Sequence, residues 1–434
     1  MSAPGTSWGR YPHARQRITT LNDRDAPLPA LEGAILPYGN GRSYGDSCLN
    51  DGGTLLHTAG LDRYIAFDEA TGILECEAGM LLSEIIARMV PKGWFPPVAP
   101  GTQYVTVGGA IANDVHGKNH HHAGSFGEHV LDLQLLRSDG SRLRCSASEN
   151  PSWFAATLGG LGLTGLVTRV RLQLRRIPGP WIETTTRRFA NLAGFFALSA
   201  DTAADEYTVA WVDCLATGSN LGRGVFSSGN HVAGGGAARR FRRGRMSLPF
   251  TPPVPLVNAL SLRLFNHVYY HRSPDKPATR IEDFEPFCFP LDAIGGWNRM
   301  YGPRGLLQYQ CVVPPPMAET AITEVLGRIA KDGTGSFLAV LKNFGSRRSP
   351  GMLSFPRPGT TLALDFPNRG ARTLRLLSEL DRVVMAAGGA VYPAKDARMS
   401  ADMFAVSFPR LQEFLPHVDP RFSSGLWRRV MVSQ

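Results

Sequence analysis

The residues best suited to chemistry lie in the segment 101–127, where paired glycines precede a cluster of polar side chains. Gly108 and Gly109 follow a β-branched run, and the sequence then reaches His-Gly-Lys-Asn at 116–119 and three histidines at 120–122. Because glycine has no Cβ, a backbone at such a pair can approach a flat or phosphorylated ligand closely. The polar groups that follow would orient that ligand.

Two further glycine-rich segments repeat this pattern, YGNGRSYGD at 38–46 and GGLGLTG at 159–165. A single segment of this kind is more often a tight turn that binds nothing. Three of them in one chain are much harder to explain as turns alone. The sequence therefore predicts an extended cofactor that several loops surround.

Several side chains outside these loops are further candidates. Gln308 and Gln310 are two residues apart in a predicted strand, so both face the same side, as donors lining a pocket would. Lys342 and Lys395 each follow a predicted strand, and taken alone such a lysine is most often a solvated charge. The adjacent histidines at 120–122 do not converge easily on one ion, and no acidic or thiolate cluster completes a site. We therefore expect no metal.

The elements that must position these groups follow from apolar spacing. Apolar residues at helical spacing predict an amphipathic helix over 80–89, and short strands at 130–136 and 142–145 predict a hairpin. The Pro-Gly-Pro at 178–180 predicts a domain boundary, after which longer elements are expected. These are strands at 208–214, 306–313 and 361–366, and helices at 320–330 and 372–387.

Length and composition indicate a folded protein of two domains. The chain has 434 residues, of which 43% are hydrophobic and 19% charged, as in ordinary globular proteins. We expect one domain from residues 1–178 together with the C-terminal return 391–434. Residues 179–390 form the second, with a mobile loop around 232–290, where the sequence is least periodic.

The formal net charge of +10 is unevenly distributed, since five arginines lie within 239–245. A basic stretch followed by an apolar, Pro-rich segment is typical of contact with an anionic bilayer or a lipid phosphate, and equally of a solvated loop. Nucleic acid is disfavoured, because the basic run is short and no fold signature accompanies it.

The cysteines favour a reducing compartment, and the apolar segments indicate neither secretion nor a membrane span. The six cysteines are scattered without zinc spacing, which favours free thiols. We see no secretory signal and no apolar run long enough to span a bilayer. The expected location is cytoplasmic, with peripheral contact at the inner face of the membrane.

Taken together, the glycine-rich segments PYGNGRSYGD, PGTQYVTVGGAIANDVHGKNHHHAGSFG and GGLGLTG resemble the flavin-binding half of FAD enzymes of the vanillyl-alcohol-oxidase type. Further segments make the chain similar to the decaprenylphosphoryl-β-D-ribose 2′-oxidase family within that group. The resemblance implies an α+β, two-domain fold whose substrate-binding domain is built on an antiparallel sheet. The further segments are SSGNH at 227–231, NRMYGPRGLLQYQCVVP at 298–314, VLKNFG at 340–345, LALDFP at 362–367 and YPAKDARM at 392–399.

The resemblance also implies which residues hold FAD. Relatives that bind FAD covalently carry Arg-His-Ser in the first loop, where this chain has Gly41-Arg42-Ser43. We therefore predict non-covalent FAD, with His116 as the remaining and disfavoured attachment point. The implied cofactor residues are Tyr38, Gly39, Asn40, Gly41, Arg42, Ser43, Tyr44, Thr102, Thr106, Gly108, Gly109, Ala112, Asn113, His116, Gly117, Asn119, Gly160, Thr164, Gly165 and Val167.

By the same resemblance, Lys395 and His116 are the implied catalytic residues. Lys395 would act as the proton acceptor or as a charge that stabilises reduced flavin, and both roles stay open. Thr361 and Ala363 depart from well-known mycobacterial members, which have asparagine and cysteine there, so the lipid carrier or the pentose can differ while the oxidation chemistry is kept. The implied substrate-binding residues are Lys118, Tyr301, Gln308, Gln310 and Lys342.

The implied reaction is oxidation of the 2′-hydroxyl of a polyprenylphosphoryl-β-D-ribose to the 2′-keto sugar. A separate NAD(P)H-dependent reductase would then complete epimerisation to the arabinose donor. One alternative is a sugar oxidase of the aldonolactone or alditol type on the same fold. The other is a catalytically silent flavin-fold protein that serves as a partner. Quinone and oxygen both stay open as the final electron acceptor.

Overall fold

The strands of the protein are short in its first third and longer afterwards. The computed structural model describes residues 4–234 and 246–431. The strands are β1 (Arg17–Thr20), β2 (Ile35–Tyr38), β3 (Thr54–His57), β4 (Tyr64–Asp68), β5 (Ile73–Glu77), β6 (Trp94–Phe95), β7 (Val130–Leu136), β8 (Arg142–Ser146), β9 (Leu166–Gln173), β10 (Arg175–Arg176), β11 (Trp181–Phe189), β12 (Tyr207–Val212), β13 (Gly224–Val232), β14 (Met246–Ser247), β15 (Ala278–Asp283), β16 (Ile294–Gly295), β17 (Leu306–Val313), β18 (Ala339–Phe344), β19 (Gly359–Pro367) and β20 (Ala390–Val391).

Helices pack on these strands or connect them. None of the helices in the described residues is long and apolar enough to cross a bilayer. The α-helices are α1 (Leu82–Met89), α2 (Val107–Ala112), α3 (His120–Ala123), α4 (Pro151–Thr157), α5 (Leu192–Asp201), α6 (Ala259–Arg272), α7 (Phe284–Cys288), α8 (Ala318–Asp332), α9 (Ala371–Ala386), α10 (Ala401–Ser407), α11 (Leu411–Phe414) and α12 (Gly425–Met431).

The first third of the chain builds a five-stranded antiparallel sheet in the order β4-β5-β9-β7-β8, beside a parallel three-stranded sheet in the order β1-β3-β2. The predicted hairpin is confirmed, since β7 pairs with β8 from Asp132 opposite Ser146 to Leu136 opposite Arg142. The predicted amphipathic helix is confirmed as α1, which begins at Leu82. Its start is shifted because Leu81 is extended and its backbone N–H donates to the Glu84 carboxylate at 2.9 Å.

An eight-stranded sheet in the order β15-β11-β13-β12-β18-β19-β17-β20 carries the rest of the architecture. The strands predicted at 208–214, 306–313 and 361–366 are confirmed as β12, β17 and β19, and the two predicted helices are confirmed as α8 and α9. β20 pairs with β17, so residue 391 lies within a strand of this sheet. The domain boundaries at 178 and 391 stay a prediction.

Alternation along β17 and β19 gives the eight-stranded sheet two unlike faces. Leu307, Tyr309 and Cys311 of β17 are buried in a core cluster with Leu362 and Leu364 of β19, and the same cluster includes side chains of α8 and α9. Because successive side chains in a strand point to opposite faces, the residues between them project away from the helices. That second face carries polar groups from both strands.

The segment 232–290, predicted to be a mobile loop, contains the end of β13, then β14, α6, β15 and α7 among its described residues. The arginine-rich stretch 239–245 lies outside the described residues. Mobility of the segment stays a prediction.

A close backbone contact joins the first glycine-rich loop to the segment that follows β20. A Cβ built on Gly45 would lie 1.8 Å from the carbonyl oxygen of Asp396, so only glycine fits there. Arg429 of α12 donates to Asp46 at 2.7 Å and to Asp396 at 3.2 Å, which ties both segments to one helix. The position of Lys395 is therefore fixed relative to the first loop.

Replacing Gly45 by alanine should destabilise the protein. The new methyl group would overlap backbone and force the two segments apart, which costs about 1–3 kcal/mol of unfolding free energy in a packed site. Chemical denaturation of Gly45→Ala beside the parent protein measures this. Gly101→Ala is the matched control, because a Cβ at Gly101 meets nothing within 4 Å. Equal stability of the two variants would contradict the contact.

Candidate active site

One large cavity of about 1200 Å³ lies between the glycine-rich loops and the polar face of the eight-stranded sheet. Pockets for single small molecules usually measure about 300–1,000 Å³. The cavity is lined by Gly39 to Tyr44 on one side and by Gln308, Gln310, Lys342 and Lys395 on the other. It therefore has room for an extended cofactor and a second ligand together.

The glycines of the first loop are required by loop-to-loop packing. A Cβ on Gly39 would lie 2.4 Å from the Thr106 hydroxyl, and one on Gly41 would lie 2.3 Å from the Tyr38 hydroxyl. Gly41 also has φ +61°, which disfavours any other residue. The first and second loops thus press together and leave their other side open to the cavity.

Two polar side chains of the first loop are anchored on the neighbouring segment. Asn40 Nδ2 donates to the Tyr104 carbonyl at 2.7 Å, and Arg42 Nε donates to the same oxygen at 3.3 Å. The Arg42 guanidinium also lies 4.4 Å from the ring centroid of Trp8. These contacts hold a cation on the cavity wall in a fixed orientation.

The second loop contains the start of α2, which runs over both glycines. Thr106 caps this helix, since its hydroxyl accepts from the Gly109 N–H at 3.1 Å. At the helix end, Asn113 Nδ2 donates to the Gly109 carbonyl at 2.8 Å. A Cβ on Gly109 would touch only the Thr106 hydroxyl, so this position opens onto the cavity.

Most predicted site residues line the cavity, as do several neighbours that the sequence did not indicate, such as Leu161 and Gly162 in the third loop. Those not found on the wall share a packing role behind it. They are Tyr38, Asn119, Gly160, Thr164 and Tyr301.

Each of these residues has a partner in the protein interior. The Tyr38 hydroxyl donates to the Thr6 carbonyl at 2.8 Å, and Asn119 Nδ2 donates to the Pro97 carbonyl at 2.8 Å. The Thr164 hydroxyl lies 3.0 Å from that of Thr157. Gly160 packs tightly against the Ala156 carbonyl, and Tyr301 belongs to an apolar cluster with Trp297. Their predicted contacts with a ligand stay predictions. In the structure these residues pack behind the cavity wall.

The polar face of the sheet presents a row of amides and a carboxylate. Gln308 lies opposite Asp365 in the β17–β19 ladder and its Nε2 donates to that carboxylate at 2.6 Å. Gln310 lies opposite Ala363, and its Nε2 donates to the Thr361 hydroxyl at 3.2 Å. The shared side predicted for the two glutamines is confirmed.

His116 contacts this row across the cavity wall. Its Nε2 lies 2.8 Å from Gln310 Nε2, so with the amide donating, the imidazole proton is assigned to Nδ1. Burial, then the positive charge of Lys342, holds the pKa of His116 well below its usual value. Nδ1 is buried and has no partner in the protein. A neutral His116 in this tautomer offers a hydrogen-bond donor to a ligand.

Three lysines surround the same region. Burial lowers the pKa of Lys342 to about 7, helped by the charges of Lys118 and Lys395. Burial also lowers the pKa of Lys118, whose ammonium donates to the Phe287 carbonyl. Lys395 Nζ lies 4.1 Å from the ring centroid of Tyr44 in the first loop. The three amines place positive charge on a part of the cavity that is shielded from water, where electrostatic interactions are stronger.

Asp365 is a site residue that sequence reasoning missed. Its side chain is buried on the cavity face, where burial raises its pKa and the charge of Lys395 opposes that rise. Burial in turn lowers the pKa of Lys395, and Asp365 opposes the fall. The available signal was the alternation in LALDFP, which puts Asp365 on the same face as Ala363 and opposite Gln308.

No three His, Cys, Asp or Glu side chains within residues 4–234 and 246–431 are placed to share one metal ion. The triple histidine forms α3, where the rings of His121 and His122 lie 4.4 Å apart. His120 instead packs on Phe344, and burial lowers its pKa to about 3.

The loops, the cavity and the sheet define the class of the protein, an FAD-binding oxidoreductase of α+β fold. Residues 29–146 match the FAD binding domain family, and this region includes the first two glycine-rich loops. The predicted fold class is thereby confirmed, as is FAD as the cofactor.

More specifically, the chain belongs to the decaprenylphosphoryl-β-D-ribose oxidase family. It is 33% identical to the decaprenylphosphoryl-beta-D-ribose oxidase of Mycolicibacterium smegmatis over 98% of this chain and 96% of that protein. It is also 35% identical to an uncharacterized protein of Streptomyces coelicolor over 80% of this chain and 99% of that protein. The L-gulonolactone oxidase of Mus musculus is 31% identical over 31% of this chain and 30% of its own length. The family predicted from the motifs is confirmed.

The residues present fit FAD. The cavity is long enough to be lined by all three glycine-rich loops, and the buried Nδ1 of His116 is left without a protein partner. Backbone N–H groups in such loops suit a pyrophosphate. The loops would hold the cofactor, and the sheet face would hold the substrate.

A bulky side chain at Gly109 should displace the cofactor without unfolding the protein. The glycine opens onto the cavity, so Gly109→Leu would fill space that FAD needs. We expect the flavin absorbance of the purified variant to fall at least about tenfold relative to protein, with its apo-protein stability little changed. Gly327→Leu is the control, because Gly327 lies on α8 with nothing within 4 Å of its Cβ. Full flavin occupancy in Gly109→Leu would contradict this placement of FAD.

Proposed function

We propose that the protein oxidises the 2′-hydroxyl of a polyprenylphosphoryl-β-D-ribose to the 2′-keto sugar. The observation that carries the proposal is that Lys118, Lys342 and Lys395 line the same cavity as Gln308 and Gln310. This wall faces the glycine-rich loops of an FAD-binding domain. The full-length similarity to an oxidase named for this substrate class supports it further.

The wall suits a sugar that carries a phosphodiester. Burial lowers the pKa of Lys342, and the charges of Lys118 and Lys395 lower it further, so a negatively charged ligand that enters here would favour the charged lysine. The amide groups of Gln308 and Gln310 are of a type that exchanges hydrogen bonds with sugar hydroxyls. Gln308 Oε1 is buried without a partner and can accept from such a hydroxyl. A neutral lactone or alditol would bring no negative charge to these lysines.

The reaction requires a hydride to leave the 2′ carbon and a proton to leave its hydroxyl. When bound, FAD supplies the two-electron acceptor for the hydride. We propose that Lys395 takes the hydroxyl proton, because burial lowers the pKa of its ammonium to about 8 and leaves a useful fraction of neutral amine. The charge of Asp365 opposes the fall in the pKa of this amine, and the Asp365 carboxylate accepts from the Gln308 amide. His116 donates from Nδ1 and orients the substrate or cofactor.

We propose that FAD is held without a covalent bond. Cys48 is the one thiol near the first loop, and burial raises its pKa to about 12, so it stays protonated and unreactive. Its Sγ donates to the Gly45 carbonyl at 3.5 Å. The neutral Nδ1–H of His116 is likewise a donor rather than a nucleophile.

We propose further that an NAD(P)H-dependent reductase consumes the 2′-keto product and yields the arabinose donor. A lipid-linked substrate also implies that the protein works as a peripheral protein at the inner face of the membrane. The arginine-rich stretch 239–245 supports such a contact by its charge alone.

The purified protein should be yellow, and acid precipitation should release its FAD into the supernatant. Anaerobic addition of a short-chain prenylphosphoryl-ribose should bleach the flavin band, because the sugar delivers two electrons. L-Gulonolactone and simple alditols should leave the band unchanged. Bleaching by a lactone or polyol alone would favour the sugar-oxidase alternative, and no bleaching by any sugar would favour the silent partner protein.

Replacing Lys395 should slow flavin reduction far more than substrate binding. Loss of a positioned base costs about 10²–10⁴-fold in rate. In the parent protein the rate of reduction should rise with pH through about 8, because the base is active when deprotonated. Lys395→Met should lose this rise, as measured by anaerobic stopped flow. Lys342→Met, the comparison variant, should mainly weaken substrate binding. A pH profile unchanged in Lys395→Met would rule out the base role.

A further inference from the structure

One helix exposes apolar side chains that a water-facing surface would normally hide. Leu260 and Leu264 of α6 are 77% and 65% exposed, and Val268, one turn further, is also exposed. The three residues are four apart, so they form one stripe along the helix. The opposite side of α6 is anchored, with Leu262 and Asn266 buried. The stripe therefore belongs to a helix with a fixed orientation.

The chain segment that leads into α6 also exposes apolar side chains. Phe250 and Val254 are 67% and 65% exposed, and Leu256 is exposed as well. The backbone here is held in place, since the Leu256 N–H donates to the Met300 carbonyl at 2.8 Å and Asn258 caps α6. We call Phe250, Val254, Leu256, Leu260, Leu264 and Val268 the α6 surface. Contiguous exposed apolar surface of this kind marks an interaction site.

The exposed charged side chains on α6 itself are basic, and the helix contains no aspartate or glutamate. The nearest acids in the sequence are already paired, Asp213 with Arg223 and Asp275 with Arg188. Arg263, His267 and Arg272 are exposed on the solvent side of α6, between and beside the apolar residues. A partner that covers this surface must therefore be negatively charged. A second copy of the chain would place arginine against arginine, which opposes self-association.

The α6 surface also borders the end of the cavity. Tyr269 of α6 lines the cavity and is 41% exposed, and its ring lies 4.7 Å from that of Trp211, another lining residue. Thr251, within the segment that leads to α6, lines the cavity too and accepts from Arg10 at 3.3 Å. A ligand can thus pass from the α6 surface to the polar wall along one continuous cavity.

We propose that the α6 surface docks on an anionic lipid bilayer, with α6 lying in the interface. The apolar stripe enters the boundary between headgroups and acyl chains, and the arginines pair with anionic headgroups. The prenyl tail of the substrate stays in the bilayer while its sugar passes Tyr269 into the cavity. The route of the tail rests on the proposed function, whereas docking of the surface does not.

Vesicle binding tests the docking. Full-length holoprotein should sediment with vesicles that contain phosphatidylglycerol and much less with vesicles of phosphatidylcholine alone. The double variant Leu260→Asp, Leu264→Asp should bind the anionic vesicles at least about tenfold more weakly, since two apolar insertions are lost and two negative charges are added. Val406→Asp is the matched control, because Val406 is 47% exposed at a site outside the α6 surface. It should bind like the parent.

Flavin reduction, vesicle binding and molar mass of the double variant distinguish the possible outcomes. Both residues lie outside the cavity wall, so a short-chain prenylphosphoryl-ribose should reduce the flavin of the double variant at the parent rate, while a decaprenyl substrate in vesicles should do so at least about tenfold more slowly. Undiminished vesicle binding by the double variant would overturn the proposal. A lower molar mass for the double variant than for the parent, measured by light scattering, would also overturn the proposal, because it would identify the α6 surface as a contact between copies of the chain. Docking without flavin reduction by either substrate would instead refute the proposed function and the tail route alone.

Discussion

The antiparallel pairing of β17 with β19 is the constraint on which the site depends. Its register sets Gln308 opposite Asp365 and Gln310 opposite Ala363, and alternation sends the intervening apolar residues into the core against α8 and α9. A shift of one residue in either strand would bury the amides and expose the core. The large apolar cluster behind the sheet therefore fixes the polar wall in front of it.

The same burial sets the protonation states on that wall. Removing the lysines from water lowers their pKa values and removing Asp365 raises its value, so both kinds of group move toward neutrality. The protonation of each buried lysine and of Asp365 therefore depends on the charges of its neighbours on the wall. His116, which faces several of these amines, is held neutral for the same reason. A ligand that brings one negative charge changes the balance of the whole group.

The sequence predicted the family and the fold class, and most of the site residues it indicated line the cavity, because glycine spacing and motif order carry that information. It did not separate residues that touch the cavity from those that support its wall. Tyr38 and Asn119 lie beside lining residues in the same motifs, and only the folded backbone shows that their polar atoms bond inward. Asp365 was missed because the alternation in LALDFP gives only the face on which it lies, and its pairing with Gln308 appears only when β17 lies beside it. The exposed stripe on α6 was missed because its arginines and histidines interrupt the apolar period.

The glycines of the first loop have a physical role that differs from the predicted one. Their glycines were predicted from the needs of a ligand, yet those at 39, 41 and 45 are required by protein atoms within 2.4 Å of the missing Cβ. Glycine lets the loops pack against each other and against the Lys395 segment, and a smooth open side follows from that packing. Because Gly45 meets Asp396 directly, the first glycine-rich loop and the backbone at Lys395 are placed by one contact. The distance between the two segments is thus set by backbone packing, which side-chain motion cannot relax.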